Sequence, residues 1–169
     1  MPLTAPTRLS PSHDCAAFDC GDDSLNAWLR RRASKNEATR GSRCFVVCEG
    51  TRVVGFYALA AGSVARERAP AAIRRNMPDP VPAIVLGRLA VDKALQNQGL
   101  GADLLHDAAL RALRAAQEIG ARVLLCHALN ERAKRFYMRH GFVESKFDAL
   151  VVMLDLKRIE AQLSGNPVK

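Results

Sequence analysis

No stretch of the 169-residue chain approaches the roughly 18 uninterrupted apolar residues that a membrane-spanning helix needs. Met1-Pro2-Leu3-Thr4-Ala5 lacks the basic-then-apolar plan of a secretory signal, so a cytoplasmic protein is expected. The cysteines (Cys15, Cys20, Cys44, Cys48 and Cys126) are odd in number, and no His or Cys cluster sits at zinc-ligand spacing. A disulfide framework and a metal centre are therefore not expected; reduced, mostly buried thiols are. Repeats and low-complexity tracts are missing too, and the only proline-rich stretch, Pro78-Asp79-Pro80-Val81-Pro82, is too short for a domain linker. What remains, 49% hydrophobic and 25% charged, suits one globular domain spanning residues 1–169 rather than a disordered polymer.

Acidic residues are scarce in one region. Residues 25–75 carry 11 basic and 3 acidic side chains, while the remainder holds 14 of each, so the whole net charge of +8 originates there. Arg30, Arg31, Lys35, Arg74 and Arg75 are candidate nucleic-acid contacts within it, because clustered cations gain affinity for phosphates by counterion release. A merely solvated basic face has the same composition. Charge alone does not choose between RNA, DNA, an acidic protein and the phosphates of a coenzyme.

After a loose N-terminal strand, Gly21-Asp22-Asp23-Ser24 supplies a helix start, with Leu25, Trp28, Leu29 and Ala33 on one helical face. Cys44–Glu49 and Val53–Ala60 read as strands of a hairpin around Gly50-Thr51, and residues 63–75 as a basic helix or loop. Ala83–Val91 is nearly all apolar, the pattern of a central strand buried on both faces, with Gly87 marking a possible bulge. From Leu100 to Ile119, Asp103, Asp107, Arg111, Arg114 and Glu118 form one polar stripe, and Gly120 ends that helix. Val123–Ala128 is a further strand, Asn130 caps a short helix that closes before Gly141, and Leu150–Leu156 is a last strand. This alternation predicts a mixed α/β sheet.

Leu86-Gly87-Arg88-Leu89-Ala90-Val91-Asp92 followed by Gln96-Asn97-Gln98-Gly99-Leu100-Gly101 has the order strand, loop, two glycines, helix. Glycine lets the main chain approach an anion, and the amides at a helix start attract one, so a diphosphate suits the turn. The same spacing also serves close packing alone. A third glycine and a Gly-Lys-Ser or Gly-Lys-Thr are both missing, which removes support from dinucleotide and nucleoside-triphosphate motifs.

Gln96, Gly99 and Gly101 resemble the signature of the GNAT family of acetyl-coenzyme A-dependent N-acetyltransferases, and Asn130, Ala133, Phe136, Tyr137, Gly141 and Phe142 resemble its second motif. More narrowly, Phe18-Asp19-Cys20-Gly21 with Leu25 and Trp28-Leu29, the Leu86–Val91 strand and Lys134-Arg135-Phe136-Tyr137 resemble the GNAT toxins of bacterial toxin-antitoxin pairs. The resemblance implies an α/β (α+β) GNAT fold: a mixed, mostly antiparallel central sheet, splayed parallel strands at the acetyl-CoA site, and flanking helices. It implies acetyl-CoA as co-substrate and no metal. Acetyl and pantetheine would lie along Leu89, Ala90 and Val91. The diphosphate would lie on Gln96, Asn97, Gln98, Gly99, Leu100, Gly101 and Ala102. Asn130, Ala133 and Phe136 would touch the coenzyme arm, and Tyr137 would be the general acid. In that subgroup the implied acceptor is the amino acid on charged tRNA. The implied partners are a ribbon-helix-helix antitoxin, operator DNA bound by the complex, and a second copy in a homodimer.

The residues are compatible with acetyl transfer. Main-chain amides near Leu89–Val91, freed by a bulge at or near Gly87, would stabilise an oxyanion. Tyr137, four residues beyond Ala133, falls on the inward face of its helix. A phenol of pKa about 10 can protonate a departing thiolate, although an ordinary core tyrosine has the same spacing. No Asp or Glu stands beside the motifs as an obvious base. Deprotonating a lysine at pH 7.5 costs about 4 kcal/mol, against roughly half a kcal/mol for an α-amino group, which favours an aminoacyl amine. Acetylation of protein N-termini or a small amine, and a non-catalytic coenzyme-binding module, are the alternatives.

Overall fold

The computed structural model describes residues 2–165. In chain order the elements are β1 (Thr7–Arg8), α1 (Asp23–Arg31), α2 (Ala33–Thr39), β2 (Arg43–Glu49), β3 (Arg52–Val64), α3 (Ala71–Arg74), β4 (Val81–Val91), α4 (Leu100–Ile119), β5 (Val123–His127), α5 (Glu131–Arg139), β6 (Val143–Glu144), β7 (Val151–Asp155) and α6 (Leu156–Leu163). The chain divides into two compact units, one holding the residues up to Ala60 together with Gly87–Ala108, the other Ala61–Leu86 together with the chain from Ala109 onward.

In the first unit the strands neighbour one another in the order β1-β2-β3-β4. β1 and β2, and β2 and β3, run antiparallel, and a register shift at Val47/Cys48 interrupts the second pair. Asp22 starts α1 by accepting a hydrogen bond from the Leu25 amide at 3.0 Å. That start points Leu29 and Ala33 into a core with Phe18, Val46, Phe56 and Ala90, against which Leu25 and Trp28 pack. Cys44 and Cys48 are buried in it as free thiols, while Cys15 and Cys20 are half-buried.

In the second unit the order is β3-β4-β5-β7-β6. β4 and β5 are parallel, whereas β7 is antiparallel to both β5 and β6. Val64, Ile73, Val81, Val123 and Met153 form the core. Arg122 closes its edge, donating to Asp155 at 2.8 Å and to the Ala72 carbonyl at 3.1 Å.

Several sequence expectations need correction. β4 is not buried on both faces, because Gly87 and Arg88 are exposed. The parallel ladder with β5 ends at the pair Leu86 and Cys126, one residue before Gly87, so β4 leaves β5 at that glycine. The segment 63–75 begins as strand, since β3 runs to Val64 before a 3-10 turn and α3. The last strand, β7, stands where it was expected, and a helix not foreseen follows it: Asp155 caps α6 by accepting from the Lys157 amide.

Gly55 fixes the distance between β3 and α4 in the first unit. A Cβ there would lie 3.1 Å from Leu104 Cδ1 and 3.5 Å from Leu100 Cδ2. Gly55→Val is therefore expected to lower unfolding stability by about 1–3 kcal/mol in urea titration, with Gly55→Ala costing less.

Candidate active site

The turn before α4 is built by backbone conformations that suit few residues. Asn97 has φ 63° and Gly99 φ 88°, both left-handed, and a Cβ on Gly99 would meet nothing within 4 Å. The first bond of α4 runs from the Asp103 amide to the Gly99 carbonyl at 3.1 Å. The amides from Gly99 to Ala102 thus precede the helical ladder, and with the positive end of a 20-residue helix they present a cradle for a diphosphate.

The turn is held by residues far away in sequence. Asp92 is buried: one carboxylate oxygen accepts from the Ala94 amide at 3.0 Å, the other from the Asp19 amide at 3.2 Å. Lys93 donates its amide to the Asp19 carbonyl and its ammonium to the Asp19 carboxylate, each at 2.9 Å. The Lys93 hydrogen bond, with further ones from Gly21 and Asn26, draws the Asp19 carboxyl down to about 2. Gln96 turns its amide nitrogen inward, onto the Cys20 carbonyl at 2.8 Å and the Val91 carbonyl at 2.9 Å. Its side chain therefore ties the loop, and what it presents outward is main chain. Asp19, Asp92 and Lys93 were not among the residues expected to shape this site.

In the second unit, Asn130 caps α5 by accepting from the Ala133 amide at 2.9 Å. Ala133 and Phe136 are half-buried on the same side of α5 as Tyr137, which is only 6% exposed. Phe136 and Phe142 flank the phenol with ring centroids at 5.3 Å and 5.4 Å. Tyr137 faces the buried Cys126 side chain of β5. Burial, joined by that thiol, pushes the phenol well above its ordinary range, while burial pushes Cys126 up to about 11. Tyr137 is thus a neutral proton carrier at any physiological pH. Leu89, Ala90, Val91 and the 96–102 turn lie in the first unit, and Asn130, Ala133, Phe136 and Tyr137 in the second.

The basic side chains divide into two sets. Glu37 accepts from Arg8 at 2.9 Å, from Arg43 at 3.2 Å and from the Cys44 amide at 2.7 Å, and Arg52 pairs with Glu49 at 2.8 Å. Arg30 donates to the Phe18 carbonyl and lines an open cavity of about 560 Å³ with His13, Asp14, Cys15 and Ala16. Arg31, Arg32, Lys35 and Arg40 in the first unit, and Arg75 in the second, are exposed with no ion-pair partner among the described residues.

Residues 40–144 match the acetyltransferase (GNAT) domain family. The chain belongs to that family. A protein of Mycobacterium tuberculosis described as a tRNA-acetylating toxin is 51% identical over 158 residues, covering 94% of this chain and 95% of the relative. Among solved structures, AtaT complexed with acetyl-methionyl-tRNAfMet superposes with a TM-score of 0.90 at 29% identity, covering 96% of this chain and 99% of that one. A point mutant of AtaT, in which phenylalanine replaces a tyrosine, has been solved with the C-terminus of the antitoxin AtaR and acetyl-CoA, at TM-score 0.82, 29% identity and coverage of 97% and 99%. A KacTA–DNA complex matches at TM-score 0.81, 28% identity and coverage of 98% and 100%. The fold is therefore that of a GNAT toxin, and the co-substrate of such an enzyme is acetyl-CoA.

The buried phenol has a spectroscopic consequence. In difference titrations between the parent protein and Tyr137→Phe, little phenolate absorbance assignable to Tyr137 should develop by pH 10 in native buffer, and about half of it should appear at that pH in urea.

Proposed function

We propose that this protein is the toxin of a toxin-antitoxin pair that transfers acetyl from acetyl-CoA to the α-amino group of aminoacyl-tRNA and thereby blocks translation. The observation that carries the reading is the 51% identity, over 94% of the chain, with a tRNA-acetylating toxin. The exposed, unpaired Arg31, Lys35 and Arg75 support it, because an RNA acceptor supplies the phosphates they lack.

In this reading residues 1–169 act as one catalytic domain. Main-chain amides from Gln96 to Ala102 hold the diphosphate, those of Leu89–Val91 hold the acetyl-pantetheine arm, and Asn130, Ala133 and Phe136 line its path. The neutral α-amine attacks the thioester carbonyl, a C–N bond forms, and the C–S bond breaks. Tyr137 gives its proton to the departing thiolate, and the amine's surplus proton leaves to water. Arg30, Arg31, Lys35, Arg74 and Arg75 hold the RNA, with Arg30 also serving the fold through Phe18. The partners in this proposal are a ribbon-helix-helix antitoxin, operator DNA bound by the pair, and a second copy of the chain, all in the cytoplasm. No helix among the described residues is long and apolar enough to cross a membrane.

Incubation with labelled acetyl-CoA and a pool of charged tRNAs should place the label on the aminoacyl moiety, and activity should fall steeply as salt rises. Label found only on protein lysines or free amines would overturn the reading. Tyr137→Phe should lower turnover on the order of 100-fold while calorimetry returns nearly the parent affinity for acetyl-CoA; undiminished turnover would remove Tyr137 from the chemistry.

A further inference from the structure

Arg88 is an exposed cation on a strand read in the sequence as buried. Ala90 is its neighbour on the same side of β4, since alternate strand residues share a face. Ala90 packs with Phe18, Leu29 and Phe56, against which Trp28 of α1 also packs. The Arg88 guanidinium carbon lies over the Trp28 ring, 4.9 Å from its centroid. Trp28 in turn stacks on Phe56, with centroids 5.8 Å apart and planes 10° from parallel. The cation is thereby lodged on aromatic surface.

It is also without a counter-charge. No carboxylate among the described residues pairs with it, and its one hydrogen bond, to the carbonyl of Gly87, is long at 3.4 Å. Partial burial against the indole pulls its pKa down, and no opposing anion among the described residues offsets it. A side chain so placed keeps most of its five N–H donors and one planar face for a ligand.

Three features indicate which ligand. Arg88 directly precedes Leu89–Val91, where the proposed function puts the acetyl group. The amine attacked there belongs to an aminoacyl ester, so the group within an arginine's length of it is the nucleotide bearing that ester. Arg88 rests on Trp28 of α1, and that helix ends at the exposed, unpaired Arg31, with Arg32 at its C-cap and Lys35 in the following α2. Resting on that functional reading, we propose that Arg88 on Trp28 and Phe56 is the binding site for the single-stranded 3′-terminal nucleotide of the acceptor RNA: the base stacks on the guanidinium plane and the N–H edges donate to its phosphodiester oxygens. The site separates an unpaired 3′ end from duplex RNA before any chemistry occurs.

Trp28 is the sole tryptophan of the chain, so the site carries its own reporter. The probes are two uncharged RNA hairpins with equal numbers of phosphates, one ending in a single-stranded CCA tail and one blunt, titrated into the full-length protein without acetyl-CoA. The tailed hairpin should perturb Trp28 emission and bind about tenfold more tightly than the blunt one. Arg88→Ala should erase both differences while its acetyl-CoA affinity reports an intact fold, and Arg88→Lys, which lacks the planar fork, should not restore them. Equal responses of the parent protein to the two hairpins, or a tail preference that survives in either variant, would overturn the site. The outcome is separable from the activity: acetylation of charged tRNA by a protein whose Trp28 ignores the tail refutes the site alone. A tail response without acetylation refutes the function alone.

Discussion

The turn before α4 depends on one buried carboxylate. Asp92 sits where β4 gives way to the turn, and its two oxygens accept from two different stretches of chain, the 3-10 turn at Ala94 and the N-terminal segment at Asp19. A carboxyl group out of water is tolerable only because both oxygens are satisfied. The Lys93 and Gln96 bonds to Asp19 and Cys20 complete a clasp that holds the turn in the conformation its left-handed residues require. In the proposed function a diphosphate would meet amides already oriented, with little ordering left to be done on binding.

Much of this molecule was legible from its sequence, for local reasons. α4 spans the residues its polar stripe outlined, because Gly120 ends it in a left-handed conformation. Asp22 and Asn130 act as the helix caps their chemistry suggested. The glycine turn was readable because few other residues adopt its dihedrals. What could not be read was tertiary. Asp92 and Asp19 are 73 residues apart, and no pattern along the chain joins them. α6 was hidden because Leu156 closes an apolar run and opens a helix at once. Arg88 looked like an intrusion into a buried strand, whereas the indole beside it lets the strand carry a cation at the surface.

Loss of water moves Tyr137 and Arg88 in opposite directions, raising the one and lowering the other, and it raises the buried thiols as well. Burial raises the Tyr137 phenol, so it holds its proton more firmly than an exposed tyrosine does. Arg88 keeps its charge at any physiological pH, and its contact with the indole leaves that charge partly shielded from water.

Glu37 gathers Arg8, Arg43 and the Cys44 amide onto one side chain, fastening α2 to the strands behind it. Lys35 is carried on that same short helix. The cationic rim of the first unit thus behaves like type set in a frame rather than beads on a string, and a polyanion laid across it would be read by shape as well as by attraction.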